Sequence, residues 1–120
     1  MALTRDFRTT VKARAEKDPA FRAALYQEAV QALVDGDLAT AKVLLRDYIN
    51  ATVGFTQLSQ ETALPAKSLL RMFGVSGNPR ADNMLNVLRH LRVAEKLNVT
   101  VSATIAPHRK ARRVAERVAA

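Results

Sequence analysis

Ala66-Lys67-Ser68-Leu69-Leu70-Arg71-Met72 is a short run with two chemically different sides. Read with a helical period, Leu69, Met72 and Phe73 recur at i, i+3 and i+4 and form an apolar side. Ala66, Lys67, Leu70 and Arg71 fall on the other. Just upstream, Thr56 to Thr62 reads as another short helix, with Leu58 facing a core and Thr56 as its N-cap. Ala63-Leu64-Pro65 turns the chain between the two. Pro65 suits the first position of the following helix, where its missing N–H costs nothing. Two short helices around a tight turn, the second presenting a small residue, a Lys and an Arg, match a helix-turn-helix that lays its second helix in the DNA major groove. Short apolar helices around a Pro also occur in helical domains that never meet DNA, so the pattern alone leaves both readings open.

The flanks read as longer helices. Upstream, Ala2 to Glu16 carries a narrow stripe of Leu3, Phe7, Val11 and Ala15 at i+4 spacing. Asp18-Pro19 is an N-cap followed by Pro, and opens a helix to about Asp35 with Phe21, Leu25, Ala29, Ala32 and Leu33 buried. Gly36 ends it. Asp37 caps a third helix to about Val53, with Leu38, Ala41, Leu45, Tyr48, Ile49 and Thr52 on one side, and Gly54 closes that one. Downstream, Gly74-Val75-Ser76-Gly77-Asn78-Pro79 is a loop. From about Pro79 to Lys96 a further helix packs Met84, Leu85, Leu88, Leu91 and Val87 beneath the two short ones. His90 has no second ligand at metal spacing and reads as a surface or satisfied residue.

Residues 98–105 then alternate with period two. Val99, Val101, Ala103 and Ile105 share one face, and Thr100, Ser102 and Thr104 the other, which is a strand signal. One strand in a helical chain has no partner for its backbone groups. A second copy, paired antiparallel about a two-fold axis, supplies one and makes Val99, Val101 and Ala103 dimerisation residues. An extended tail lying on its own core is the alternative. Pro107 to Ala120 is a basic stretch with Arg109, Lys110, Arg112, Arg113 and Arg117, readable as an arm on phosphate or as a solubilising tail.

The formal net charge is +8. Residues 1–54 contribute +1, residues 55–106 +3 and residues 107–120 +4, so the excess lies where a polyanion would be met. With 120 residues the chain is long enough for one modest core. No apolar run approaches the ~20 residues of a bilayer span, no signal peptide is visible, and there is no Cys. The default compartment is the cytoplasm. With two His, no His-Glu-x-x-His and no phosphate-cradling Gly loop followed by Lys, no enzyme and no cofactor is expected.

The residues from Phe55 to Leu91 carry a resemblance. Leu58, Leu64-Pro65, Lys67-Ser68-Leu69, Arg71-Met72, the Gly77-Asn78-Pro79 turn and Leu85, Leu88 and Leu91 look like the lambda-repressor-like (Cro/C1-type) helix-turn-helix. With Leu44 to Asn50 (LLRDYIN) upstream, the match is closer to its small antitoxins, the addiction-module antidote proteins similar to HigA. The resemblance runs from about Leu44 to Val101. Many members have Gly where this chain has Ala63, so the turn is expected to avoid left-handed geometry.

The resemblance implies an all-α fold, a lambda-repressor-like bundle with extra N-terminal helices (1–54), a DNA-binding region (55–96), a short dimerisation strand (97–106) and a basic tail (107–120). It implies a homodimer on operator DNA, with Ala66, Lys67, Leu70 and Arg71 facing bases and Thr56, Gln57, Ser68, Asn78 and Arg80 on phosphates. It also implies a bacterial cytoplasmic host and a small basic toxin of the RelE/HigB type, bound and neutralised by this chain. A stand-alone repressor with no toxin partner is the alternative.

Overall fold

The computed structural model describes residues 5–106, and of residues 5–8 the helical backbone only. Leu3, the side chain of Phe7 and the basic tail 107–120 lie outside the described residues. Within them the chain is all-helical: α1 (Arg5–Lys17), α2 (Pro19–Val34), α3 (Leu38–Ala51), α4 (Phe55–Thr62), α5 (Ala66–Met72) and α6 (Ala81–Ala94).

The first three helices follow their caps. The Asp18 carboxylate accepts from the N–H groups of Ala20 at 3.0 Å and Phe21 at 3.3 Å, and Pro19 occupies the first turn. Gly36 has φ +80°, and the Asp37 N–H reaches back to the Ala32 carbonyl at 2.8 Å, which closes α2 through a left-handed residue. Asp37 then accepts from the Thr40 N–H and hydroxyl. Both bonds hold its carboxyl below the usual carboxylate range. Leu25, Ala29 and Ala32 of α2 and Ala41, Leu45, Tyr48 and Ile49 of α3 are buried, as their spacing predicts. Thr52 leaves the stripe: α3 stops at Ala51, and the Thr52 hydroxyl donates to the Tyr48 carbonyl at 2.8 Å.

One core runs from Ala15 in α1 through Leu45 and Tyr48 in α3 to Leu58, Leu69 and Leu91 in α4, α5 and α6. Its long-range polar ties were not legible in the sequence. The Arg22 Nε meets Glu95 Oε1 at 2.7 Å, and a second guanidinium nitrogen donates to the carbonyls of Ala15 and Glu16. Arg22 thus joins the ends of α1 and α6 to α2. The Tyr26 hydroxyl donates to the Leu88 carbonyl at 2.8 Å. Its ring meets Tyr48 edge-on at 5.6 Å. The Tyr48 hydroxyl is fully buried and has no hydrogen-bond partner among the described residues. Burial, with the Glu95 charge and Tyr26 adding, pushes that hydroxyl far up, and Arg22 opposes only partly.

Five expectations are corrected. Gly54, not Thr56, is the N-cap of α4: the Leu58 N–H bonds the Gly54 carbonyl at 3.1 Å. The same glycine ends α3, its N–H donating to the Ile49 carbonyl at 2.8 Å. With φ 78° and ψ 158°, it stands in a region essentially closed to residues with a Cβ. Pro65 is likewise the N-cap of α5 rather than its first residue, because its ψ of 141° is extended. Ala63 does adopt the left-handed geometry, at φ 62° and ψ 19°, because the three-residue turn requires it whichever residue stands there. α6 begins at Ala81 rather than Pro79 and ends at Ala94 rather than Lys96, where Lys96 turns left-handed at φ 52°. Leu85 does not pack beneath the short helices: Met84, Val87 and Leu91 fix the buried side, and Leu85, about 100° round from Met84, is 64% exposed.

The strand expected at 98–105 is not formed within the single chain. No strand occurs among the described residues, because a strand needs a ladder partner and none of them supplies one. Val99 rests on the core, whereas Val101 and Ala103 are exposed and Ile105 is 90% exposed. No described helix is long and apolar enough to cross a membrane.

Candidate nucleic-acid interface

α5 is seven residues long, too short to persist without its neighbours. Leu69, Met72 and Phe73 anchor it in the core, and Phe73 meets Phe55 of α4 ring to ring at 6.2 Å. The opposite side carries Lys67 and Arg71, both exposed, and Leu70, half exposed between them. Lys67 and Arg71 are one turn apart and share a face. Ala66, at the first turn, is half-buried. Three of the four expected base-facing side chains are therefore open to solvent on one short helix. Ser68, expected on phosphate, is half-buried on the flank.

The turn that sets the angle of α5 is wired by hydroxyls. Ser59 donates to the Leu64 carbonyl at 2.6 Å. Thr62 donates to the Leu58 carbonyl at 2.7 Å and accepts from the Leu64 N–H at 3.3 Å. The Asn86 amide of α6 holds the Thr62 carbonyl at 3.3 Å. These bonds satisfy the groups left over where α4 ends. The sequence signal for them was weak, since Ser and Thr inside a helix carry no fixed partner.

The remaining expected phosphate contacts divide. Thr56 and Asn78 are exposed. Arg80 is exposed and pairs with Asp82 at 3.2 Å, a surface contact worth little that does not withhold the guanidinium. Gln57 lines a groove of about 370 Å³ with Arg22, Thr52, Glu61, Leu91 and Glu95. It is exposed, and its amide lies 3.4 Å from Glu61 Oε1. His90 Nδ1 lies 2.9 Å from the Asn86 carbonyl, so that nitrogen is satisfied within α6.

Behind the interface lies a residue the sequence reading passed over. Lys42 of α3 is only 6% exposed, on the buried side of a helix where a Lys is not expected. Its ammonium donates to the carbonyls of Gly74 at 2.8 Å, Val75 at 3.1 Å and Gly77 at 2.7 Å. Three donors meet three acceptors, so a buried charge is fully hydrogen-bonded. Gly77 is needed in that loop: a Cβ would come within 2.8 Å of the Met72 carbonyl oxygen and closer still to that of Arg71. A Lys at i+1 from the stripe residue Ala41 was the available signal, but nothing local names its partners 32 to 35 residues away.

Comparisons of the chain with protein-family models, with curated proteins and with solved structures return no match.

Proposed function

We propose that the chain is a sequence-specific DNA-binding protein, with α4, the turn 63–65 and α5 as its helix-turn-helix. The observation that carries this reading is the sorting of α5: Leu69, Met72 and Phe73 are buried while Lys67, Leu70 and Arg71 stand open on the other side. A row of this kind enters the major groove, where Arg and Lys reach guanine O6 and N7 and Leu meets a thymine methyl. Thr56, Ser68, Asn78 and Arg80 flank it as phosphate contacts. The net charge of +8 adds the sequence-independent attraction.

The protein acts as a homodimer in this reading. Among the described residues, 98–106 make no backbone hydrogen bond, and Val101 and Ile105 are exposed. Antiparallel pairing with a second copy satisfies both, and a two-fold dimer reads an inverted repeat. The sequence resemblance to the HigA-like antitoxins gives the biological role: an antitoxin of the bacterial cytoplasm that neutralises a small basic toxin of the RelE/HigB type and represses its own operon.

Two measurements test this. Arg71→Ala weakens binding to a selected operator by roughly 1–3 kcal/mol relative to random duplex; equal weakening of both would make Arg71 a phosphate contact and refute its base-reading role. Expression of the small reading frame beside this gene arrests growth, and co-expression of this protein rescues it with the two co-purifying. Operator binding without arrest or complex would leave a stand-alone repressor.

A further inference from the structure

We infer that Lys42, which sits behind the interface, is a positioning residue that arms the loop 74–78 for a phosphodiester backbone. This deepens the DNA-binding reading and rests on it. The argument starts from the peptide plane. Every peptide bond in the described chain is trans, so each C=O points opposite to the N–H of the same plane. The carbonyls of Gly74, Val75 and Gly77 share their planes with the N–H groups of Val75, Ser76 and Asn78. All three carbonyls converge on one Lys42 Nζ, at 2.7–3.1 Å. The three N–H groups therefore point away from Lys42, toward the outside of the molecule.

The surroundings agree with that direction. Val75 is 99% exposed, and Ser76 and Asn78 are exposed. None of these three N–H groups donates to another group among the described residues. The Lys42 charge lies at the negative end of each peptide dipole and fixes its positive end outward, the arrangement in which backbone N–H groups bind anions. Because the N–H groups diverge, they do not close around one small anion. They form an outward row, which suits successive oxygens of a phosphate backbone. Lys42 touches no nucleic acid itself; it holds the loop and its dipoles in place next to α5, and the tight seat of Gly77 against the Arg71 and Met72 carbonyls fixes the distance between loop and reading helix.

The test uses the full chain and a duplex selected from a random pool. In the wild type, the amide NMR signals of Val75, Ser76 and Asn78 move on titration with this duplex. They do not saturate with inorganic phosphate at matched ionic strength. Lys42→Met, checked as folded by circular dichroism, weakens selected and random duplex alike by roughly tenfold, the size expected for losing about one hydrogen bond to a charged group. Lys42→Arg, which keeps a buried cation with several donors, recovers most of that loss. If the three amides stay still while the signals of Lys67 and Arg71 move, the loop assignment is wrong and the DNA reading stands. If no signal moves with any duplex, the DNA reading fails and this inference fails with it. Saturable binding of inorganic phosphate at the loop would instead make it a small-anion site and overturn the backbone assignment.

Discussion

Helices α2 and α3 are 16 and 14 residues long and begin on carboxylate caps, whereas α4 and α5 are 8 and 7 residues long and begin with no side-chain cap. The long pair carries its own instructions: Asp18-Pro19, Gly36 and Asp37 start and stop each helix from within a few residues. The short pair is below the roughly 12–15 residues at which an isolated helix is even marginal. Its instructions come from backbone geometry at Gly54 and Ala63, and from side chains far away in sequence, Lys42 and Asn86. The difference teaches that the surface proposed to meet DNA is the part of the molecule least able to form by itself.

That contrast can be broken by substitution. The largest effect is expected at the joint. Gly54→Ala meets no steric neighbour, so its cost is purely conformational, about 1–3 kcal/mol. Chemical denaturation measures it, and an unshifted midpoint would show that the joint relaxes and that α4 does not depend on it.

The long half offers a substitution of opposite sign. Tyr48→Phe removes a buried hydroxyl that has no partner among the described residues, and a gain of about 1 kcal/mol is expected. It also changes the response to alkali. The folded-state pKa of Tyr48 is raised above 10.0, so below pH 10.0 its ionisation costs the fold nothing, and stability is lost as pH rises beyond it, where the unfolded chain ionises first. Tyr48→Phe should flatten the alkaline limb of the stability curve. An unchanged limb would mean that Tyr48 ionises alike in the folded and unfolded chain, and a net loss of stability would mean that its hydroxyl is hydrogen-bonded in solution.

The smallest effect belongs to the turn. Ala63→Gly relieves a left-handed alanine, worth roughly 1–2 kcal/mol, against the entropy of a glycine, roughly 0.5–1 kcal/mol. The net is a gain of about 0.5 kcal/mol in thermal unfolding. A loss would mean that the hydroxyl bonds of Ser59 and Thr62, not the backbone angle, set the turn.

What the sequence made legible follows the same division. The helical elements and most buried faces were readable because caps and apolar spacing are local signals; Asp18, Gly36, Asp37 and the stripe Ala41, Leu45, Tyr48, Ile49 are cases. The two sides of α5 were readable for the same reason. Lys42 was not, because a charged residue beside an apolar stripe gives no sign of three carbonyls in a distant loop. Tyr26 bonding Leu88 and Arg22 bonding Glu95 were hidden likewise. Leu85 was misplaced because a helix bearing Met84, Leu85, Val87 and Leu88 is apolar over more than one side, and only the packed neighbours decide which side is buried. Ala63 was misread because residue preference was allowed to set the backbone angle, while the tertiary turn set it instead.

The glycine shared by α3 and α4 also says how little this chain tolerates being taken apart. Only Thr52, Val53 and Gly54 separate the two helices, and Gly54 bonds back to α3 with its N–H and opens α4 with its C=O, so inserting or deleting a residue there rotates everything after it. A chimera spliced there would have to carry the glycine and its angles across the junction. The turn Asp35-Gly36-Asp37 is used as fully, although all three residues are exposed: the Asp37 N–H closes α2 and its carboxylate opens α3. There too a chimera would have to carry the glycine and its caps across the junction.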